Sequence, residues 1–269
     1  MKRLLPLLAV AALIVAPAAW SAHRSAPTMH PGKLVVGLNP PAVGFQVGTL
    51  RGNSVIHPSG LEVSLATDIA KQLGIKPSHI TWINVPWTTL FRPGNKPFDL
   101  AFEEATITTA RARVVDFSSS YMTANQGVLL AKGATAPKNL AQLKNMSLCA
   151  QADTTGLAYL QSQMHIPLSK IHVYNATAAA FSALAVGRCQ AFVMDVPIVL
   201  AQKKSKPSAY GALAGQIVTN EHYGAVLPKG SKLTKDVSKA INTLNKNGTI
   251  GKLEAKWFNY DFSKIKVLK

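Results

Sequence analysis

Apolar positions in this chain fall into two patterns that take turns along its length: short continuous runs, and single residues spaced about four apart. Leu34-Val35-Val36-Gly37-Leu38 is a continuous run and predicts a buried strand. Leu61, Leu65, Ile69 and Leu73 recur every fourth residue, and Gly74 follows as a stop, which predicts a helix. Residues 80–85 read as a strand, and residues 98–102 as another, entered through the turn Pro93-Gly94-Asn95-Lys96-Pro97. Strands alternating with helices predict a mainly parallel α/β sheet. An extended apolar segment then covers residues 126–132 and ends at Gly133. The alternation restarts beyond it. Strands are expected over 148–151, 171–174 and 191–194, the last ending at Asp195, and helices over 154–163 and 176–186. A second extended segment, 223–227, ends at Pro228-Lys229-Gly230. Leu233, Val237, Ile241 and Leu244 then form one helical face stopped by Gly248, and residues 250–258 form a last helix.

Two α/β units joined by two extended segments predict two lobes with two connecting strands. A ligand site belongs in the cleft between them. In such sheets the C-terminal ends of the strands face the ligand crevice. Glu103, Glu104, Thr155 and Asp195 are therefore site candidates by position alone.

The first residues add a destination. Lys2 and Arg3 precede an apolar run over residues 4–16, and small residues follow at Ala18, Ser21 and Ala22. This reads as a secretory signal peptide over residues 1–22, too short for a membrane span. No cysteine follows the run to take a lipid anchor. The chain carries 29 Lys and Arg against 12 Asp and Glu, a formal charge of +17. The basic residues are scattered and no basic stripe carries interleaved aromatics, so the pattern argues against a nucleic-acid partner. The surplus owes as much to scarce acids, which fits an acidic exterior where carboxylates lose their charge. Cys149 and Cys189 are the only two cysteines. In an exported chain they read either as a disulfide or as two small buried side chains.

Several segments resemble the bacterial extracellular solute-binding proteins of family 3, which serve polar amino-acid ABC importers. They are Gly60-Leu61-Glu62-Val63-Ser64-Leu65-Ala66; Thr106-Ile107-Thr108-Thr109-Ala110-Arg111 followed by Val114-Val115-Asp116-Phe117-Ser118; Asp153-Thr154-Thr155; Val186-Gly187-Arg188-Cys189-Gln190-Ala191 leading to Asp195; and Tyr223-Gly224-Ala225-Val226-Leu227-Pro228. The ending from Asn247-Gly248-Thr249-Ile250 to Lys256-Trp257-Phe258 also matches, and the segments occur in family order. The resemblance implies a two-lobed type II periplasmic-binding-protein fold. Lobe 1 takes residues 33–124, lobe 2 residues 125–224, and residues 225–269 return to lobe 1. It implies a periplasmic or secreted monomer without a cofactor. Its partners are an amino acid or related small amine or zwitterion and the inner-membrane permease of an ABC importer, and the lobes close on the ligand.

The resemblance also implies roles for particular residues. Burying a zwitterion requires a partner for each charge. Arg111 matches the carboxylate-binding arginine, whose fork grips two oxygens at once; otherwise it is a solvated surface residue. Thr154 and Thr155 precede a helix whose free N–H groups favour the same carboxylate; otherwise Asp153 or Thr154 only caps that helix. Asp195 matches the acceptor of the ligand ammonium, and its alternative is a cap for the helix after Pro197. Thr106 adds a hydroxyl. Trp87 matches an aromatic platform for the ligand side chain, while Ala42 stands where a second aromatic is usual. Glu103 and Glu104 replace the small residues usual there. One of them facing the cleft favours a cationic ligand. The strands of Cys149 and Cys189 are neighbours in the family topology, which brings the thiols toward disulfide range. The rival readings are a cyclohexadienyl dehydratase-like enzyme on the same scaffold, with Glu103 or Glu104 as general acid, and a periplasmic sensory module.

Overall fold

The apolar run at the start of the mature chain becomes β1 (Leu34–Leu38), buried at all five positions. The computed structural model describes residues 26–269; the signal peptide expected over 1–22 lies outside them. A hairpin of β2 (Val47–Arg51) and β3 (Ser54–Ser59) follows, turning at Gly52 with φ +59°. The sequence reading has no counterpart for it, because four of the five β2 residues are exposed and no apolar alternation marks it. The helix α1 (Leu61–Gln72) buries Leu61, Leu65 and Ile69 as expected, and also Glu62. Gly60 sets its start. A Cβ there would stand 2.0 Å from the Phe45 carbonyl oxygen, and φ is +137°. Only glycine lets the Leu61 and Glu62 amides reach the Gly44 and Phe45 carbonyls, both at 3.0 Å.

β4 (Ile80–Asn84) and a single-turn helix α2 (Trp87–Leu90) come next. The strand expected over 98–102 pairs only as β5 (Leu100–Ala101), although Phe98 to Phe102 are all buried. β6 (Val115–Leu130) is followed by α3 (Leu140–Leu143), β7 (Leu148–Gln151), α4 (Thr155–Ser162), β8 (Ile171–Tyr174), α5 (Thr177–Ala185), β9 (Ala191–Asp195) and α6 (Val196–Ser205). The chain then runs through β10 (Leu213–Pro228), α7 (Thr234–Lys246) and α8 (Thr249–Phe258).

Among the described residues, all ten strands join one sheet in the order β2-β3-β4-β1-β5-β10-β6-β9-β7-β8. β1 is parallel to β4 and β5, and β7 is parallel to β8 and β9. These two parallel halves are joined by β6 and β10, antiparallel partners of 16 residues each. At ~3.3 Å per residue each spans about 50 Å, enough to belong to both halves. Of the extended segments read from sequence, 223–227 lies within β10, and 126–132 overlaps β6 as far as Leu130.

The β6–β10 ladder is interrupted where the halves meet. Ile217 pairs with Gln126 and Glu221 with Ala124, so three β10 residues, Val218, Thr219 and Asn220, bulge opposite the single β6 residue Asn125. The Asn125 side chain holds the bulge by accepting from Thr219 N and Asn220 N at 3.0 and 3.1 Å. Bulges re-aim the side chains beside them, and the one here is Glu221.

Cys149 and Cys189 are bonded, with Cα atoms 5.7 Å apart. Cys149 lies on β7 and pairs with Phe192, while Cys189 lies in the turn entering β9. The bridge thus joins a strand to the loop that leads into its neighbour. The last residues cross to the β7–β9 half. Leu268 N donates to Gln216 O at 2.8 Å and Leu140 N to Lys269 O at 3.0 Å, and Leu268 is buried among Leu130, Leu143 and Ile217.

Candidate ligand-binding cavity

A cavity of about 330 Å³ opens between the halves. The β1 half contributes Asn39, Ala42, Trp87, Glu104, Thr106 and Arg111; the β7 half contributes Thr154, Thr155, Phe181, Met194, Asp195 and Ile198. Every sequence-predicted site residue borders it, but their side chains differ in what they have left to offer.

Arg111 is buried, with 9% exposure, rather than solvated. It stands in the turn entering β6. Nη1 donates to Thr106 O at 2.8 Å, and Nη2 reaches across to Asp153 O in the other half at 2.9 Å. The guanidinium carbon lies 4.4 Å from the Phe91 ring centre and 5.0 Å from that of Trp87. Burial lowers its pKa to about 10, so it stays charged at neutral pH. A guanidinium has five N–H donors; two go to these carbonyls and three remain.

Trp87, half-buried, borders the cavity where the resemblance puts an aromatic platform. Its indole Nε1 donates to Ala152 O at 3.1 Å, tying the two halves together, and its ring packs against Phe91 and Arg111. Phe45 is wholly buried against Phe258 and Tyr223, so the second aromatic missing at Ala42 is not supplied from there.

Asp195 ends β9 at the cap position of α6, yet its side chain makes no cap bond. Oδ1 accepts from Gln126 Nε2 at 2.6 Å and Oδ2 from the Tyr223 hydroxyl. Burial, then the Glu221 charge, pushes its pKa up to about 7 against those two bonds and Arg111.

Thr154 is the cap. Its hydroxyl accepts from Leu157 N at 3.2 Å and donates to Gln151 O at 2.8 Å, which uses its one O–H donor and leaves one lone pair. Asp153 adopts φ +60° where the family pattern has glycine, so the loop keeps its left-handed turn. Thr155 opens α4, where first-turn N–H groups lack intrahelical acceptors. Its hydroxyl donates to Glu221 Oε2, as does that of Thr106 at 2.8 Å. Gln126 Nε2 donates to Glu221 Oε1 at 2.8 Å. Glu221 thereby gathers one hydroxyl from each half and one amide from the connecting strand.

The adjacent acids diverge. Glu104, half-buried with φ +47°, borders the cavity. Glu103 borders the cavity as well, but both of its carboxyl oxygens are sealed from solvent and have no hydrogen-bond partner. Behind Glu104 lies Glu62, fully buried. It accepts from the Tyr121 hydroxyl, from Glu104 N at 2.9 Å and from Gln46 Nε2 at 2.9 Å. Burial raises all three glutamate pKa values, and Glu62 raises those of its two neighbours further.

Sequence reasoning passed over Glu62, Glu221, Gln126 and Tyr223. Glu62 left one signal: a carboxylate in the apolar phase of α1, alongside Leu65 and Ile69.

These acids set a pH dependence. In the unfolded chain they ionise at about pH 4. In the ligand-free fold Asp195 holds its proton to about 7, and Glu62, Glu103 and Glu104 are raised as well. As pH rises through that window the unfolded chain releases protons that the folded one keeps, so stability falls. Thermal melts at about pH 5, 6.5 and 8 should show a decreasing midpoint; a midpoint that climbs steadily over that range contradicts the assignment.

Two half-sheets hung on a pair of long antiparallel strands, with a charged cavity between them, define a type II periplasmic-binding fold. Residues 34–260 match the model for bacterial extracellular solute-binding proteins, family 3, and the chain belongs to that family. It is 28% identical to the L-cystine-binding protein TcyJ of Escherichia coli K12 over 210 residues, 77% of this chain and 76% of that one. It is 26% identical to the arginine-binding extracellular protein ArtP of Bacillus subtilis over 96% of this chain and 98% of that one. Among solved structures, the arginine-, lysine-, histidine-binding protein ArtJ of Geobacillus stearothermophilus superposes with a TM-score of 0.74 at 26% identity, covering 85% of this chain and 96% of that one. No described helix is long and apolar enough to cross a membrane.

Proposed function

We propose that this protein captures an amino acid, or a related small amine or zwitterion, in the periplasm and presents it to the permease of an ABC importer. The observation that carries the reading is the placing of Arg111 and Asp195 on opposite halves of the sheet, at one cavity. Arg111 receives the ligand carboxylate with its three remaining donors, helped by the N-terminus of α4. Asp195 receives the ammonium on the lone pairs that Gln126 and Tyr223 leave open.

The lobes are residues 33–124 with 225–269, and 125–224, and the C-terminal tail crosses to the second. The bonds from Trp87 to Ala152 and from Arg111 to Asp153 form between these lobes, which supports a closed, ligand-holding arrangement. Ligand favours that arrangement because only there do both charges find their partners. Relatives named as binding proteins support a binder rather than an enzyme.

A thermal-shift screen of amino acids and polyamines tests this. A ligand at about a hundred times its Kd adds roughly 2.7 kcal/mol and raises the melting midpoint by several degrees. A panel without effect, or turnover of prephenate or arogenate, would reject the reading.

A further inference from the structure

The zwitterion reading accounts for Arg111 and Asp195 but leaves one wall of the cavity without a counter-charge. Of the 12 acidic residues in the chain, Glu62, Glu103, Glu104, Asp153, Asp195 and Glu221 border or back this cavity. Among the described residues, two cations line it, Arg111 and the exposed Lys206. The ion pairs among the described residues, Lys71–Asp68, Lys229–Asp116 and Lys264–Asp261, all lie elsewhere on the surface. A chain with 29 Lys and Arg thus gathers half of its acids at one cavity, and among the described residues no basic side chain forms an ion pair with any of the four glutamates there.

The geometry of that wall is built. Glu104 is held in the left-handed region, where a residue other than glycine is strained. Its Oε1 accepts from Gln46 Nε2 at 3.2 Å, and its N–H donates to Glu62. Glu103, 3% exposed, has no partner for either oxygen, an arrangement that costs several kcal/mol if the group is charged. The groups facing this cluster are Gln46 from the loop before β2, Tyr121 from β6, Tyr223 from β10 and Asp195 from β9, all neutral or acidic.

We propose that the ligand carries a second cationic group, an ammonium or guanidinium beyond its α-amine, and that Glu104, backed by Glu62, receives it. This deepens the zwitterion reading and rests on it for the placement of the α-carbon. Burial raises the pKa of both glutamates, and the Glu62 charge raises that of Glu104 further, so the ligand-free pair favours keeping a proton. An arriving cation displaces that proton to solvent and leaves an ion pair in its place. A neutral side chain leaves the acidic wall unmatched, and an acidic one is repelled by it.

Calorimetry at about pH 7.5 with arginine and lysine, against their neutral counterparts citrulline and norleucine, tests the assignment. Arginine or lysine should bind roughly tenfold tighter or better than its counterpart. Binding should release protons and strengthen from about pH 5 to 8. In E104Q the ratio should fall toward one; a thermal melt checks that this variant folds, and E62Q gives a second measure of the same ratio. Equal affinity for citrulline and arginine, or a ratio that survives E104Q, overturns the inference. Agmatine, which lacks the carboxylate, separates it from the reading beneath it. If agmatine binds and arginine does not, the cation subsite stands and the zwitterion reading fails; if neutral amino acids bind best, the reverse holds.

Discussion

Replacing Arg111 by alanine is expected to weaken amino-acid binding roughly a hundredfold or more. Removing one member of a buried, hydrogen-bonded charge pair costs about 2–5 kcal/mol, much of it from the charge left behind. Here the stranded charge is the ligand carboxylate, enclosed beside Asp195 and Glu221. The guanidinium also bridges Thr106 O and Asp153 O, so its loss removes one of the bonds that join the halves. Arg111→Lys separates the two effects. It keeps a positive charge but not the planar fork, and its affinity should lie between those of alanine and wild type. Calorimetry on both variants, with circular dichroism to verify folding, gives the result. Undiminished binding by the alanine variant would remove Arg111 from the site.

The second large effect is on stability. The Cys149–Cys189 bridge closes a loop of 40 residues. On chain entropy alone a loop of that length stabilises the fold by about 4 kcal/mol. For a domain of this size the double replacement of both cysteines by serine should lower the melting midpoint by roughly 10 °C. The bridge pins β7 to the turn entering β9, and those strands lead to Thr155 and Asp195. Loss of the bridge therefore loosens one side of the cavity. An unchanged midpoint in the double variant, or under reductant, would contradict this estimate.

The parts of the fold that were legible in the sequence are those buried on one periodic face or along a whole run. β1, α1 and α7 meet that description: all of β1 is buried, and α7 buries Val237, Ala240, Ile241 and Leu244. The β2–β3 hairpin was not legible, because a strand exposed to solvent carries no hydrophobic signal. The connecting strands were legible only in part. Asp116, Ser119 and Ser120 in β6 and Thr219 and Glu221 in β10 are not fully buried, so polar residues break up the apolar pattern of strands that form the spine of the molecule.

The site divides along the same physical line. Arg111, Asp195 and Thr155 lie in segments with a recognisable local order. Glu221 meets Thr106 from 115 positions away and Gln126 from 95, through a bulge that no spacing rule announces. Tyr223 reaches Asp195 in the same way from 28 positions away. Thr154 shows the converse. Its motif was legible, but its hydroxyl serves the helix behind it. Glu104 has a left-handed backbone and both carboxyl oxygens of Glu103 are sealed from solvent, and nothing in the identity of either residue reveals this.

One titration addresses the central claim most directly. The amino acid that stabilises the protein best is compared with two truncated forms of itself, one without the carboxylate and one without the α-amine. If Arg111 and Asp195 hold the two ends of a zwitterion, each truncation weakens binding roughly a hundredfold, the first less so in Arg111→Ala and the second less so in Asp195→Asn. If either truncated form binds as tightly as the parent, the charge it lacks has no partner in this cavity, and the account fails.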